Sequence, residues 1–194
     1  MAAVRPPPCA SRALLLLFLA MACALVPAAW AREQGSTLLE RGVKAAFLYK
    51  FVAYVTWPEG SFARSDAPVV IGVAGDDALV AALREVIASR SVEGRPLVVR
   101  RVQDADTLGG LHILFVGRDE AARLSELARA LANQPVLLVS ENEGALEQGS
   151  AINFVLAEGR VKFDIAPDAA ERRGIKLSSR LLTVAQTLRS SPVP

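Results

Sequence analysis

The sequence predicts one α/β domain of three layers, with a mostly parallel central sheet flanked by helices and a late antiparallel β-hairpin. Short apolar runs of strand length alternate with helical periodicity along the middle of the chain, as is typical of a parallel sheet covered on both faces. Two further runs flank Ala157-Glu158-Gly159, a pattern typical of a hairpin with a tight turn. No repeat or linker indicates a second domain, so a single domain is expected over residues 32–194.

The first element of this domain is a predicted helix of about four turns that ends before Trp57-Pro58. Thr37 and Glu40 have the spacing of a capping box at its start. Apolar residues then recur close to a 3.6-residue period, namely Leu39, Val43, Ala46, Phe47, Phe51 and Tyr54. We expect this periodic face to be buried.

Four strands and two helices are predicted next. The strands cover residues 68–74, 95–102, 111–116 and 135–140, and the helices cover the stretch through Val86 and residues 119–132. The polar link Gln103–Gly110 is too short for a full crossover helix, so the second and third strands need not be neighbours.

The C-terminal part begins with the predicted hairpin strands 151–156 and 160–165. A helical segment over 166–173 is expected to stop at Gly174, because glycine favours the conformation that ends a helix. A last helix is predicted from about Ser178 to Leu188, with Ser178 as its cap.

The N-terminus has the features of a secretory signal. Arg5 and Arg12 precede an apolar run over residues 13–26, and Ala29-Trp30-Ala31 offers small residues for cleavage near Arg32. A cleaved signal over residues 1–31 and a periplasmic location are therefore expected. A membrane anchor is the alternative, although the run is shorter than the roughly 20 residues of a spanning helix. Acylation at Cys23 is a further alternative with a poor sequence match.

Composition excludes several classes of function for the mature chain. Cys9 and Cys23 are the only cysteines and both lie in the signal, so no disulfide is expected after cleavage. The formal charge of +2 comes from Arg5 and Arg12, which leaves the mature domain formally neutral. A neutral domain does not indicate binding to nucleic acid, since that requires a concentrated basic face.

Candidate catalytic and metal-binding residues are few, and none forms a known constellation. His112 is the only histidine and lies in an apolar strand, so a structural role is predicted for it. The turn at Gly72–Asp77 resembles a phosphate-binding loop only weakly, and Asp76 is better explained as a helix N-cap. Glu141 and Glu143 are interpreted as part of a solvated loop. We therefore predict no catalytic residue, metal or cofactor.

Aromatic residues are densest between positions 47 and 62. Most of them are expected in the core, but Tyr49 falls elsewhere on the first helix and Trp57 stands beside a proline at its end. These two residues are predicted to contribute to an apolar patch that binds a protein partner, with burial of Trp57 at the base of the domain as the alternative.

Several stretches together resemble the YfiR-like periplasmic proteins over about residues 39–188. They are Lys44-Ala45-Ala46-Phe47-Leu48-Tyr49-Lys50-Phe51, Thr56-Trp57-Pro58, Ile152-Asn153-Phe154, Gly159-Arg160-Val161-Lys162-Phe163-Asp164-Ile165 and Gly174-Ile175-Lys176-Leu177-Ser178-Ser179-Arg180-Leu181-Leu182. The best-studied members of that family are dimers with disulfides. Leu146 and Asn153 stand at the matching hairpin region here, so redox control of the family type is not expected.

The resemblance implies a non-enzymatic repressor that binds the periplasmic part of an inner-membrane diguanylate cyclase and lowers cyclic-di-GMP synthesis and biofilm formation. It also implies a homodimer. The second hypothesis is a periplasmic small-molecule-binding sensor, since a parallel sheet offers a crevice at the carboxyl ends of its strands, here near Gly75-Asp76 and Gly117-Arg118. An enzyme of unfamiliar type is the third and least favoured hypothesis.

Overall fold

The computed structural model describes residues 37–104 and 107–190. The predicted signal over residues 1–31 lies outside these residues, and its cleavage stays a prediction. The described residues from Glu40 onward belong to one compact unit. Among the residues described, no helix has both the length and the apolar character needed to cross a membrane.

An eight-stranded sheet forms the centre of the molecule, in the spatial order β10-β8-β7-β6-β5-β2-β4-β3. A separate two-stranded sheet pairs β1 with β9 in antiparallel orientation. The strands are β1 Val55–Thr56, β2 Val69–Ala74, β3 Ser91–Val92, β4 Arg95–Arg101, β5 Ile113–Val116, β6 Leu137–Ser140, β7 Ile152–Ala157, β8 Arg160–Ile165, β9 Lys176–Leu177 and β10 Thr187–Leu188. The mostly parallel sheet and its late antiparallel hairpin confirm the predicted fold class.

The five successive parallel strands β2, β4, β5, β6 and β7 lie in the order β4-β2-β5-β6-β7. Numbered by their sequence, this is the 2-1-3-4-5 order of flavodoxin-like sheets, in which the winding direction reverses between the first and third strands. The predicted second and third strands are indeed not neighbours, because β2 lies between β4 and β5. The reversal places the carboxyl ends of β2 and β5 side by side.

Helices and loops cover both faces of the sheet, and the side chains of β5 show how the two faces are filled. Ile113 and Phe115 join a large core on one face, whereas Leu114 and Val116 join a smaller core on the other. The helices are α1 over residues 37–52, α2 Asp77–Ile87, α3 Leu124–Ala130, α4 Pro167–Glu171 and α5 Ser179–Val184. The helices α1, α2, α4 and α5 pack on the larger core and α3 on the smaller one, which gives the three layers predicted.

The helix α1 exists as predicted, but its buried face differs from the predicted one. Val43, expected inside, is 41 % exposed, and Leu39 is also exposed. Phe51 is buried as predicted, and the other buried positions of the helix are Lys44, Ala45, Leu48 and Val52. The prediction was wrong at the start of the helix because the inward position is held by the charged Lys44.

Two further predicted helices are shorter than expected. The stretch 119–132 is divided into a 3-10 helix, Arg118–Arg123, and the α-helix α3. The last helix ends at Val184 and not at Leu188, so that prediction is wrong. Thr187 and Leu188 form β10 beside β8, where Gln186 N–H donates to the carbonyl of Phe163 at 2.8 Å.

The turn of the β7-β8 hairpin is formed by Glu158 and Gly159, as predicted. Both have positive φ values, 53° and 70°. A two-residue turn with two left-handed residues matches the twist of the paired strands, which is why glycine is favoured here. The hairpin pairs Asn153 with Asp164 directly across the two strands.

Candidate functional site at the carboxyl edge of the sheet

Charged side chains follow three parallel strands at the edge where the winding reverses. Asp76 follows β2, Arg118 follows β5 and Glu141 follows β6. Parallel strands place their carboxyl ends on one edge of the sheet, and ligands of open α/β sheets bind along this edge. This edge is therefore the candidate site.

Lys44 of α1 is the central residue of this edge. It is only 5 % exposed, and its Nζ contacts the carboxylates of Glu40 and Glu141. Arg118 lies 3.8 Å from Glu40 and 3.6 Å from Glu141, measured between the nearest nitrogen and oxygen atoms. Two carboxylates and two cations form this ionic cluster, which we call the Lys44 cluster, so its formal charge is zero.

The prediction that Glu141 lies in a solvated loop is wrong. Its side chain is 7 % exposed and is not part of a solvated loop, whereas Glu143 is exposed as expected. Sequence reasoning missed Lys44 as the partner because 97 residues separate the two. The available signal was the position of Lys44 within a helix that is otherwise apolar on that side.

Buried polar groups hold the loop that carries Glu141. The Ser140 hydroxyl donates to the carbonyl of Val116 at 3.1 Å, and the Asn142 amide donates to the Ser140 hydroxyl at 2.9 Å. The bond from Ser140 to Val116 links the carboxyl ends of β6 and β5. Glu141 is consequently held by its two neighbours in the chain as well as by Lys44.

The backbone is closely packed at the crevice predicted near Gly75-Asp76 and Gly117-Arg118. A Cβ atom at Gly117 would lie 2.7 Å from the carbonyl oxygen of Gly75, and one at Gly75 would lie 2.9 Å from the backbone nitrogen of Glu120. Asp76 caps α2, as predicted, by accepting from Leu79 N–H at 2.9 Å. It also lies 3.5 Å from Arg41 of α1, so α1 contacts this edge at a second point.

His112 is fixed by the backbone, in agreement with the predicted structural role. Its Nδ1 accepts from Val70 N–H at 3.1 Å, so Nε2 carries the hydrogen and donates to the Ser61 carbonyl at 3.2 Å. Phe62 stacks on the ring at a centroid distance of 4.3 Å. Burial lowers the pKa of His112 below 6.5, the nearby Arg95 lowers it further, and the bond to Ser61 opposes both effects.

Tyr49 and Trp57 are both partly buried against the larger core and have different neighbours. Arg90 lies over the Tyr49 ring, with its guanidinium carbon 5.2 Å from the ring centroid. The Trp57 indole donates to the His112 carbonyl at 3.3 Å. Trp57 also lines a surface cavity of about 470 Å³, together with Phe62 and Arg95. Whether these residues contact a partner stays a prediction.

The charged groups of this edge are paired with one another. Within residues 37–104 and 107–190, no group of three or more His, Cys, Asp or Glu side chains is placed to hold a metal ion. The molecule is thus an α/β domain with a charge-paired ionic site at the carboxyl edge of its sheet.

A sequence profile of the YfiR/HmsC-like family matches residues 41–186. The chain therefore belongs to the YfiR/HmsC-like family, whose members are periplasmic and regulatory rather than catalytic. Lys44, Glu141 and Trp57 all lie within the matched residues.

The fold is also similar to the crystal structure of a conserved domain protein from Vibrio cholerae O1 biovar eltor. The two are 15 % identical, with a TM-score of 0.47. The alignment covers 62 % of this chain and 54 % of the other, so it spans about half the length of that protein.

Proposed function

We propose that this protein is a non-enzymatic periplasmic repressor that binds the periplasmic region of an inner-membrane diguanylate cyclase. Binding lowers cyclic-di-GMP synthesis and, with it, biofilm formation. The observation that carries the proposal is membership of the YfiR/HmsC-like family over residues 41–186, a family of regulatory proteins. The charge-paired edge supports it, because its titratable groups are engaged with one another.

Trp57 is the residue we propose as the main partner contact. It lines an open cavity whose floor includes aromatic and aliphatic side chains, among them Phe62 and Val69. Arg95 lies over the Phe62 ring, 4.0 Å from its centroid. Aromatic and arginine residues around a cavity are typical of the energetically dominant part of a protein interface. Tyr49, partly exposed beside Arg90, is proposed as a secondary contact.

The test is affinity purification of the tagged, exported protein from detergent-solubilised envelopes, followed by mass spectrometry. The expected result is recovery of an inner-membrane protein that has a periplasmic sensor region and a cytoplasmic cyclase domain. Recovery of no such protein, with the bait folded and located in the periplasm, would contradict the proposal.

Site variants make this test specific. Trp57→Ala is expected to reduce recovery of the cyclase strongly, and Tyr49→Ala to reduce it less. Leu156→Ala is the matched control, because Leu156 is 62 % exposed and lies on the hairpin away from the Trp57 cavity. Circular dichroism of each purified variant separates loss of binding from loss of folding.

Export and assembly are parts of the same proposal. Cleavage after Ala31 predicts a mature N-terminus at Arg32, which N-terminal sequencing of the periplasmic fraction measures. It also leaves Trp57 as the only tryptophan. A homodimer is proposed from the family resemblance, and light scattering coupled to gel filtration gives its mass directly.

A further inference from the structure

A surface cavity of about 540 Å³ lies beside the hairpin and is separate from the Trp57 cavity. It is bounded by the loop 141–147 on one side, by β7 and β8 on another, and by Arg118 and Arg189 at its margins. It is therefore next to the Lys44 cluster, with which it shares Arg118 and Glu141. A cavity of this size accommodates a small organic molecule.

Two polar side chains in this cavity have no partner for one oxygen. Asn153 and Asp164 are each 8 % exposed, and both line the cavity. Their Oδ1 atoms are buried and have no hydrogen-bond partner in the part of the chain that the structure describes. The two residues face each other across β7 and β8, so the two unpartnered acceptors lie on adjacent strands.

Asp164 is the more unusual of the two because it is a carboxylate. Among the described residues, no lysine or arginine nitrogen lies within 4.0 Å of it, although such pairs exist elsewhere around the cavity. The Oδ1 atom of Asp164 is removed from water without a hydrogen bond, and a buried acceptor without a donor is unfavourable. A donor from outside the chain would remove this cost.

The charges around the cavity indicate the kind of donor. Arg118 is paired with Glu141, and Arg189 lies 3.6 Å from Glu147. Both arginines are therefore neutralised by their own partners. Within residues 37–104 and 107–190, Glu143 and Asp164 have no cation within 4.0 Å, so the cavity lining has an excess of negative charge and of acceptor atoms.

We propose that this cavity binds the primary ammonium group of a small organic amine, with Asp164 as its counter-ion and Asn153 as a second acceptor. An ammonium group carries three donors and one positive charge. It would therefore donate to both unpartnered oxygens and supply the cation that Asp164 lacks. This ligand site goes beyond the proposed repressor function, and either is testable without the other.

The test measures binding of 1,4-diaminobutane to the purified mature protein by isothermal titration calorimetry, with thermal unfolding in parallel. Butane-1,4-diol is the uncharged analogue of the same length. The expected result is binding and thermal stabilisation by the amine and neither by the diol. Absence of amine binding, or equal binding of the diol, would overturn the proposal.

Variants locate the site. Asp164→Asn removes the charge at constant size and is expected to weaken amine binding by at least about tenfold. Glu158→Gln is the matched control, since it removes an exposed carboxylate of the hairpin turn and is expected to bind as the parent does. Unchanged affinity in Asp164→Asn, or a similar loss in Glu158→Gln, would overturn the assignment.

The stability of the amine-free variants provides an independent check. If Asp164 has no partner in the free protein, Asp164→Asn is expected to unfold at the same temperature or higher, since it removes a buried charge. Asn153→Val is expected to behave likewise and to weaken amine binding. Marked destabilisation of both variants without amine would show that the two side chains bond within the protein, and would overturn the proposal.

Discussion

Lys44 and Glu141 form a buried ion pair that joins the first helix to the loop after β6. The contact fixes α1 to the carboxyl edge of the sheet at the point where the strand order reverses. Glu40 and Arg118 complete the cluster, so that each charge has at least one opposite neighbour. The pairing leaves α1 with a defined position even though its outer residues, such as Val43, are exposed.

Replacing Lys44 by methionine is expected to lower the free energy of unfolding by about 3 kcal/mol, because it leaves Glu141 buried without its main cation. Arg118 remains nearby but is 67 % exposed, which limits compensation. Chemical denaturation measures the change.

Lys50 is the matched control for this substitution, since it lies on the same helix and is exposed. Lys50→Met is expected to change the free energy of unfolding by less than about 0.5 kcal/mol. The double variant Lys44→Met, Glu141→Leu is expected to recover much of the loss. Equal stability of Lys44→Met and the parent would show that the pair does not hold α1.

Stability is expected to fall on acidification because of His112. Its pKa in the folded protein is below the ordinary value of 6.5, so the unfolded chain binds more protons between these two pKa values. The contribution of His112 to the free energy of unfolding is fully present above pH 6.5. It is lost as the pH falls through the pKa that His112 has in the folded protein. Thermal unfolding measured from pH about 7.5 to about 5 spans this window.

His112→Asn is the comparison for the pH series, because its amide oxygen replaces Nδ1 as acceptor for Val70 N–H and does not titrate near neutrality. The variant is expected to be less stable at every pH, with a shallower decline on acidification. A decline as steep as that of the parent would assign the effect to other groups.

Gly117→Ala is expected to destabilise the protein by about 1 to 3 kcal/mol, the usual range for overpacking. The added methyl group would lie 2.7 Å from the Gly75 carbonyl oxygen. The φ of Gly117 is −77°, so the effect is steric and not conformational. Gly109→Ala, where no atom lies within 4 Å of the added methyl, is expected to be neutral when both are compared by urea denaturation.

Gln186→Pro is expected to detach β10 from the sheet. The substitution removes the N–H that donates to the Phe163 carbonyl and is expected to cost about 1 kcal/mol or more. Gln186→Ala keeps the N–H and is the control. Hydrogen exchange at the Arg189 amide, which bonds the Ile165 carbonyl at 2.8 Å, reports the detachment; unchanged protection in the proline variant would contradict the assignment of β10.

Features set by neighbouring residues were predictable from the sequence. The caps at Asp76 and Ser178, the turn at Glu158-Gly159 and the alternating strands depend on local patterns, and each occurs where it was expected. The separation of β4 from β5 also followed from a local property, the short link between them.

Features set by distant contacts were not predictable in the same way. The sequence before Thr187 and Leu188 has a helical pattern, which predicted that the helix continues. The unpaired edge of β8 offers backbone hydrogen bonds to these two residues, and they form a strand instead. Glu141 and Lys44 are buried only because the fold brings together segments that are far apart in the chain. The unpartnered oxygens of Asn153 and Asp164 likewise depend on the register of the hairpin.

The pairing of β1 with β9 has a consequence for the order in which the domain assembles. Val55 pairs with Leu177, and Ser178 N–H donates to the Tyr54 carbonyl at 2.9 Å. A chain that emerges from a ribosome or crosses a membrane with its N-terminus first presents β1 early and its partner β9 late. The domain therefore closes only when nearly all of it has emerged, and a prematurely terminated product that lacks β9 leaves β1 unpaired and open to proteases.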